Sequence, residues 1–190
     1  MYSKRLCVAI AAAGLLATTG TAAAAPNTAF TNGSFETPKA REGAWTSFPA
    51  GSDMGLWNVG GGGVDLIDDG LFQAAEGSQS VDLNGQGPGS VSQTFTTEPG
   101  KQYTVTYSLS GTPAPLPIPM TGNALIDGQK FQDFTFDTSN NTPQNMGYVT
   151  HQFTFVANRA STTLKFASTT DSSSYGPIID DVKVKGCSCS

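Results

Sequence analysis

Asn32-Gly33-Ser34-Phe35-Glu36 places a short polar turn, one aromatic and one carboxylate in a row. Such a run opens a β-sandwich if Phe35 is buried and Glu36 stays at the rim. Its expected partner is at the far end of the chain, in Ile178-Ile179-Asp180-Asp181-Val182. With the first and last strands side by side, Glu36 and Asp180 meet at one edge. Calcium takes oxygen ligands from such a place. The expected ligands are the Glu36 and Asp180 side chains and a backbone carbonyl from the turn at Ser34. A third loop, Ala75-Glu76-Gly77-Ser78-Gln79, would add carbonyls or Glu76 itself. The residues alone leave two readings level: a structural ion, or two solvated strand-end acids.

The rest of the chain reads as one all-β, jelly-roll sandwich. Short alternating runs are separated by Gly, Pro, Asn and Asp at sandwich spacing. Ala29–Phe35 opens the fold, and 41–54 reads as an irregular loop carrying Trp45 and Phe48. Trp57-Asn58-Val59 and Val64-Asp65-Leu66-Ile67 are strands around Gly60–Gly63, with Trp57 in the core. In 79–84, Val81 and Leu83 point inward and Ser80 and Asp82 outward. In 90–96, Val91, Gln93 and Phe95 share one side. The clearest strand is 102–110, with Tyr103, Val105, Tyr107 and Leu109 on one face and hydroxyl residues on the other. Pro113, Pro115, Pro117 and Pro119 exclude a central strand and run extended. Asp127-Gly128 signals a hairpin between 123–126 and 129–136. Asp68-Asp69-Gly70 lacks the alternating acids of an EF-hand and reads as a tight turn. Two further strands, 149–156 and 162–167, turn Phe153, Phe155, Leu164 and Phe166 inward, and 178–185 closes the fold. No run supplies the helices of a parallel α/β sheet.

The 190 residues suit one domain and a leader. Lys4-Arg5, the apolar run from Leu6 to Leu16 and the small residues 21–25 form the pattern of a secretory signal peptide, cleaved after Ala24. The apolar run is too short for a comfortable membrane span. The expected organisation is a leader over 1–24, the sandwich over 25–186 and a Cys-x-Cys tail over 187–190. Cys187 and Cys189 are the two cysteines left after cleavage, and a frayed terminus is their leading interpretation. With no apolar tail or sorting motif, release to the outside or to the cell wall is expected.

Formal charge is −5, and without Lys4 and Arg5 it becomes −7, from 8 bases against 15 acids. That excludes a nucleic-acid partner, which needs a basic patch. The sole histidine, His151, shares parity with Phe153 and Phe155 and reads as a structural residue bordering the core. There is no Gly-x-Ser-x-Gly elbow, and Gly60–Gly63 lacks the Lys-Ser/Thr of a phosphate loop. Asp65, Glu76, Asp82, Asp133 and Asp137 supply carboxylates, but two of them would have to flank one sugar to hydrolyse it. The expectation is a protein that binds and does not catalyse. Sugar recognition needs aromatics in reach of solvent. Trp45, Phe48, Tyr148 and Tyr175 are the candidates, against the alternative that each packs under a loop.

Several stretches, taken in order, resemble the bacterial choice-of-anchor C family, itself similar to the DUF642 proteins of plant cell walls. They are 32–36, 57–59, 64–67, 75–85, the Pro99-Gly100 turn, 145–148 and Gly176-Pro177-Ile178-Ile179-Asp180-Asp181-Val182. The resemblance implies a galactose-binding-like jelly roll, often with a structural calcium between the first and last strands, where Glu36 and Asp180 fall. It also implies a link to cell-wall polysaccharide. The chain departs from that pattern in its Pro-rich insert and in the Cys187-Ser188-Cys189-Ser190 tail. The expectation is a secreted glycan-binding module with a structural calcium. The rival is an adhesive protein with a protein partner, marked by a flat apolar patch or an unpaired edge strand.

Overall fold

The computed structural model describes residues 29–113, 118–172 and 174–186. The expected leader, the middle of the Pro-rich segment and both tail cysteines lie outside them. Twelve strands form two six-stranded antiparallel sheets. The first has the order β1 (Trp45–Phe48), β4 (Val64–Asp68), β5 (Gln79–Asp82), β12 (Pro177–Gly186), β7 (Gln102–Gly111), β10 (Val149–Val156). The second has the order β2 (Asp53–Met54), β3 (Trp57–Gly61), β6 (Gly89–Thr96), β11 (Ser161–Ser168), β8 (Pro119–Ile126), β9 (Gln129–Asp137). This is the jelly-roll β-sandwich that the alternation predicts.

Period-two alternation fixes which residues fill the space between the sheets. Val81, Val105, Tyr107, Leu109 and Ile179 from the first sheet meet Val91, Phe95, Leu164 and Phe166 from the second, all at 2% exposure or less. Each such side chain contributes roughly 1.5–3 kcal/mol through burial. Tyr103 stacks on Phe155 at 5.4 Å and Tyr107 on His151 at 5.3 Å, because these pairs are register partners of β7 and β10. His151 thus borders the core, as its parity indicated. Asp127 (φ 49°) and Gly128 (φ 81°) form the expected tight hairpin turn between β8 and β9. Pro119 takes the first position of β8, where a missing N–H is tolerated.

Two expectations need correction. The segment 41–54 is not all loop: β1 and β2 lie within it as short edge strands paired to β4 and β3. The opening residues 29–35 are turn and irregular backbone instead of a strand. They are nonetheless anchored. Phe30 and Phe35 pack on the fully buried Trp57, at 5.7 and 5.0 Å between ring centres, and the Trp57 indole N–H donates to Asn32 O at 2.9 Å. Gln93, buried on β6, bonds both the N–H and the C=O of Thr31.

The ends of the fold meet because β12 bulges. Its register with β7 shifts between Asp180 and Lys183, and Asp181 is left-handed, with φ 50°. The bulge takes Val182 out of the ladder, and its N–H donates to Gly33 O at 2.9 Å. A side chain at Gly33 would put its Cβ 1.9 Å from Val182 O, so only glycine permits this approach.

Candidate functional site

Two arrangements of polar side chains stand out, and the first joins the ends of the chain. Glu36 and Asp180 both reach the loop between β4 and β5. Asp180, fully buried, accepts the backbone N–H groups of Ala75 (2.8 Å) and Glu76 (2.9 Å) on Oδ2 and that of Asp181 (2.6 Å) on Oδ1. Glu36 accepts Ser78 N–H on Oε1 at 2.7 Å, and on Oε2 it accepts the Ser78 hydroxyl at 2.8 Å and the Lys39 ammonium at 2.7 Å. Gln79, 1% exposed, donates to the carbonyls of Phe35 and Pro38 and accepts from Ala40 N–H. The sequence-predicted residues Glu36, Asp180 and Gln79 therefore do assemble. The Glu76 side chain is exposed and only its N–H takes part, and next to Ser34 it is the Gly33 carbonyl that is engaged.

This donor set does not fit a calcium ion. Calcium wants converging oxygens with free lone pairs, whereas both carboxylates face N–H, O–H and ammonium donors. Among the described residues no three His, Cys, Asp or Glu side chains gather closely enough to hold an ion. Electrostatics separate the two acids. Burial pushes the Glu36 carboxyl up, but the Lys39 ammonium and the Ser78 donors outweigh it and hold it below the usual carboxylate range. Burial pushes Asp180 up to about 7, against the pull of its three N–H donors.

The second arrangement is on the outer face of the first sheet. Register partners share a face, so Ser47, Asp65 and Asp82 form one row across β1, β4 and β5. Trp45, Ile67 and Ser80 form the next row. Part of this face is roofed. Ile67, Ile178 and Met146 make a small second core, packed by Leu71, Phe72 and Tyr148. The uncovered part is a cleft of about 1150 Å³, walled by Trp45, Phe72 and Tyr175, bordered by Phe48, whose ring turns with Val64 into the core, and with Asp65 and Asp82 in its floor. Trp45 is 55% exposed, because an edge strand gives its ring no neighbour on one side.

The two floor acids differ. Asp82 is 2% exposed. Its oxygens accept the Thr112 hydroxyl and, at 2.8 Å, Asn84 N–H. Burial pushes its carboxyl up to about 7, opposed by these donors and reinforced by the neighbouring Asp65. Gly176 backs it so closely that a Cβ there would lie 2.3 Å from Asp82 Oδ1. Asp65 is half-buried. Burial raises its carboxyl, the Ser47 hydroxyl pulls it down, and Oδ1 is buried without a hydrogen-bond partner. A buried carboxylate oxygen without a donor is costly and marks a place for a ligand hydroxyl.

Of the four aromatics singled out in sequence, Trp45, Phe48 and Tyr175 line this cleft. Tyr148 lies under the neighbouring loop in the small second core, and burial raises its hydroxyl well above the ordinary tyrosine value. Phe72 escaped notice because it follows the Asp68-Asp69-Gly70 turn. That turn is the predicted tight one, closed by Leu71 N–H to Asp68 O at 2.9 Å. Among the described residues no helix is long and apolar enough to cross a membrane.

The chain is a jelly-roll sandwich with a cleft on the outer face of one sheet. The solved structures say the same of the fold. The chain is similar to a family 35 carbohydrate binding module from Clostridium thermocellum, with 11% identity, 74% of this chain and 97% of that one covered, and a TM-score of 0.50. It is also similar to TmCBM61, determined in complex with β-1,4-galactotriose, with 14% identity, 84% and 98% covered, and a TM-score of 0.51. By sequence, residues 28–185 match the family described as "Protein of unknown function (DUF642)", and the chain belongs to that family. It is 32% identical over 130 residues to halomucin of Haloquadratum walsbyi, a match that takes in 67% of this chain and spans 1% of halomucin's length.

Proposed function

We propose that this protein is a secreted, non-catalytic module that binds extracellular or cell-wall polysaccharide in the cleft between Trp45 and Tyr175. The observation that carries the reading is the cleft itself. Trp45, Phe72 and Tyr175 line it, beside a floor with one unsatisfied carboxylate oxygen. Rings stack on pyranose faces while polar groups fix the hydroxyls, the division of labour that sugar sites use. Of the five carboxylates considered for hydrolysis, only Asp65 and Asp82 are cross-strand neighbours, and Asp82 is sealed behind Thr112 and Asn84. A glycosidase pair needs both acids at the bond. Secretion rests on the signal pattern of residues 1–25. The expected calcium has no support in the Glu36–Asp180 donor set, and we propose that the clamp closes by hydrogen bonds alone.

The test is calorimetric titration of the purified protein with neutral and acidic plant and bacterial polysaccharides, alongside Trp45→Ala and Tyr175→Ala. Saturable binding that both variants weaken supports the reading; no binding to any glycan defeats it.

The rival protein-binding reading has one observation of its own. β10 is an eight-residue edge strand, and Val149 and Val156 on it are about half exposed, as is the nearby Phe131. Retention of a protein partner through β10, with no glycan bound, would favour it.

A further inference from the structure

The cleft has a charge preference as well as a shape. Among the described residues, no Lys, Arg or His lines it, and its only acids are Asp65 and Asp82. Both lie on the same face of adjacent strands, so an anion entering the cleft would meet the Asp65 carboxylate at its floor. Asp82 is spent internally on Thr112 and Asn84. Asp65 Oδ1 is a buried acceptor without a partner at the cleft floor, and the Ser47 hydroxyl beside it is already turned to the same carboxylate. The floor therefore carries an acceptor without a donor, between apolar walls and, among the described residues, with no cation to neutralise an anion.

Building on the glycan-binding reading above, we infer that the cleft selects uncharged sugar chains and rejects uronates. A neutral pyranose can donate a hydroxyl to Asp65 Oδ1 while its apolar face lies on Trp45. A uronate would bring a second carboxylate into a partly desolvated, acidic pocket. It would lose its hydration with no Arg or Lys to replace it, and burying an unpaired charge is far costlier than burying a hydroxyl. The same logic gives Asp65 a role in specificity: its carboxylate favours a donor over an acceptor at the cleft floor.

The experiment compares four tetrasaccharides on the wild-type protein: β-1,4-galactotetraose, cellotetraose, xylotetraose and tetragalacturonate. At least one neutral chain is expected to bind ten-fold or more tighter than tetragalacturonate. Equal or tighter binding of tetragalacturonate overturns the selectivity and leaves the glycan-binding reading standing. Failure of all four overturns the selectivity, and with the polysaccharide panel also negative it overturns the glycan-binding reading too. Asp65→Asn supplies the second arm. Its amide can donate, so neutral affinity is expected to fall about ten-fold and the gap to tetragalacturonate to narrow. An unchanged gap in the folded variant contradicts the role given to Asp65. Because the first arm uses only the wild-type protein, the inference stays testable if the variant does not fold.

Discussion

Asp180 on the last strand accepts the backbone N–H of Ala75 at 2.8 Å, across 105 residues of sequence. The same oxygen takes Glu76 N–H, so a single buried carboxylate ties the β4–β5 loop to β12. Replacing Asp180 with Ala leaves three N–H donors without their acceptor. Leaving buried donors unmade costs about 1–3 kcal/mol each before relaxation, and a loss of about 3 kcal/mol is expected in denaturant unfolding. Glu36→Ala, at a more exposed site, should cost about 1 kcal/mol. A chelator should leave the melting temperature of the wild-type protein unchanged. A fall of several degrees in chelator, reversed by calcium, would show that an ion holds these ends together.

The close approach at Gly33 makes a sharper prediction. Gly33→Ala would drive a Cβ into Val182 O, whereas Gly43→Ala meets nothing within 4 Å and carries only the strain of φ +62°. Gly33→Ala should therefore destabilise by more than about 2 kcal/mol and Gly43→Ala by about 1 kcal/mol. Equal melting temperatures for the two variants would mean that the opening segment is not seated on the β12 bulge.

Stability should fall as the pH rises from about 4 to 7. Asp82 holds its proton in the folded chain up to about pH 7, whereas an ordinary aspartate releases it near 3.8. Between those values the folded state binds more protons than the unfolded one, so ionisation works against folding. Asp180 acts in the same sense. Glu36, whose carboxyl is lowered, acts oppositely and only at more acid pH, where its contribution is lost as the pH falls. The melting temperature should be higher at pH 5 than at pH 8 by roughly 5 °C. Asp82→Asn should flatten part of that slope, and an unaltered slope would remove Asp82 from the account.

Tyr148 and Trp45 should separate stability from binding. Tyr148→Ala empties part of the small core around Met146 and Ile178 and should cost about 2–4 kcal/mol. Trp45→Ala removes a ring that is more than half exposed and should leave the melting temperature within about 2 °C while weakening glycan binding about ten-fold. A glycan affinity that survives Trp45→Ala would move the site elsewhere.

Much of this was legible in the sequence because burial imposes period two. The face of β7, the β8–β9 hairpin and the inward Val81 and Leu83 follow from alternation alone. That Glu36 and Asp180 reach one place was also legible, since Glu36 follows a buried aromatic and Asp180 sits among buried aliphatics, and both end on the β4–β5 loop. What they bind there was not. A carboxylate reads the same whether its partner is an ion or a backbone N–H, and the loop donor Ser78 is 42 residues away from Glu36 in sequence. The edge strands β1 and β2 were missed because four- and two-residue strands carry too little pattern. The pairing of Asp65 with Asp82 depends on register, which a single sequence does not reveal. Phe72 reaches the cleft only through a turn, so no periodicity marks it.

The central claim is that a sugar chain lies in the cleft on the outer face of the first sheet. Backbone amide NMR of the labelled protein, titrated with the neutral tetrasaccharide that binds most tightly, tests it directly. Shifts should cluster at Trp45–Phe48, Asp65, Leu71–Phe72, Thr112 and Tyr175, and both β9 and β10 should stay still. Shifts confined to β9 and β10, or none at saturating sugar, would contradict it.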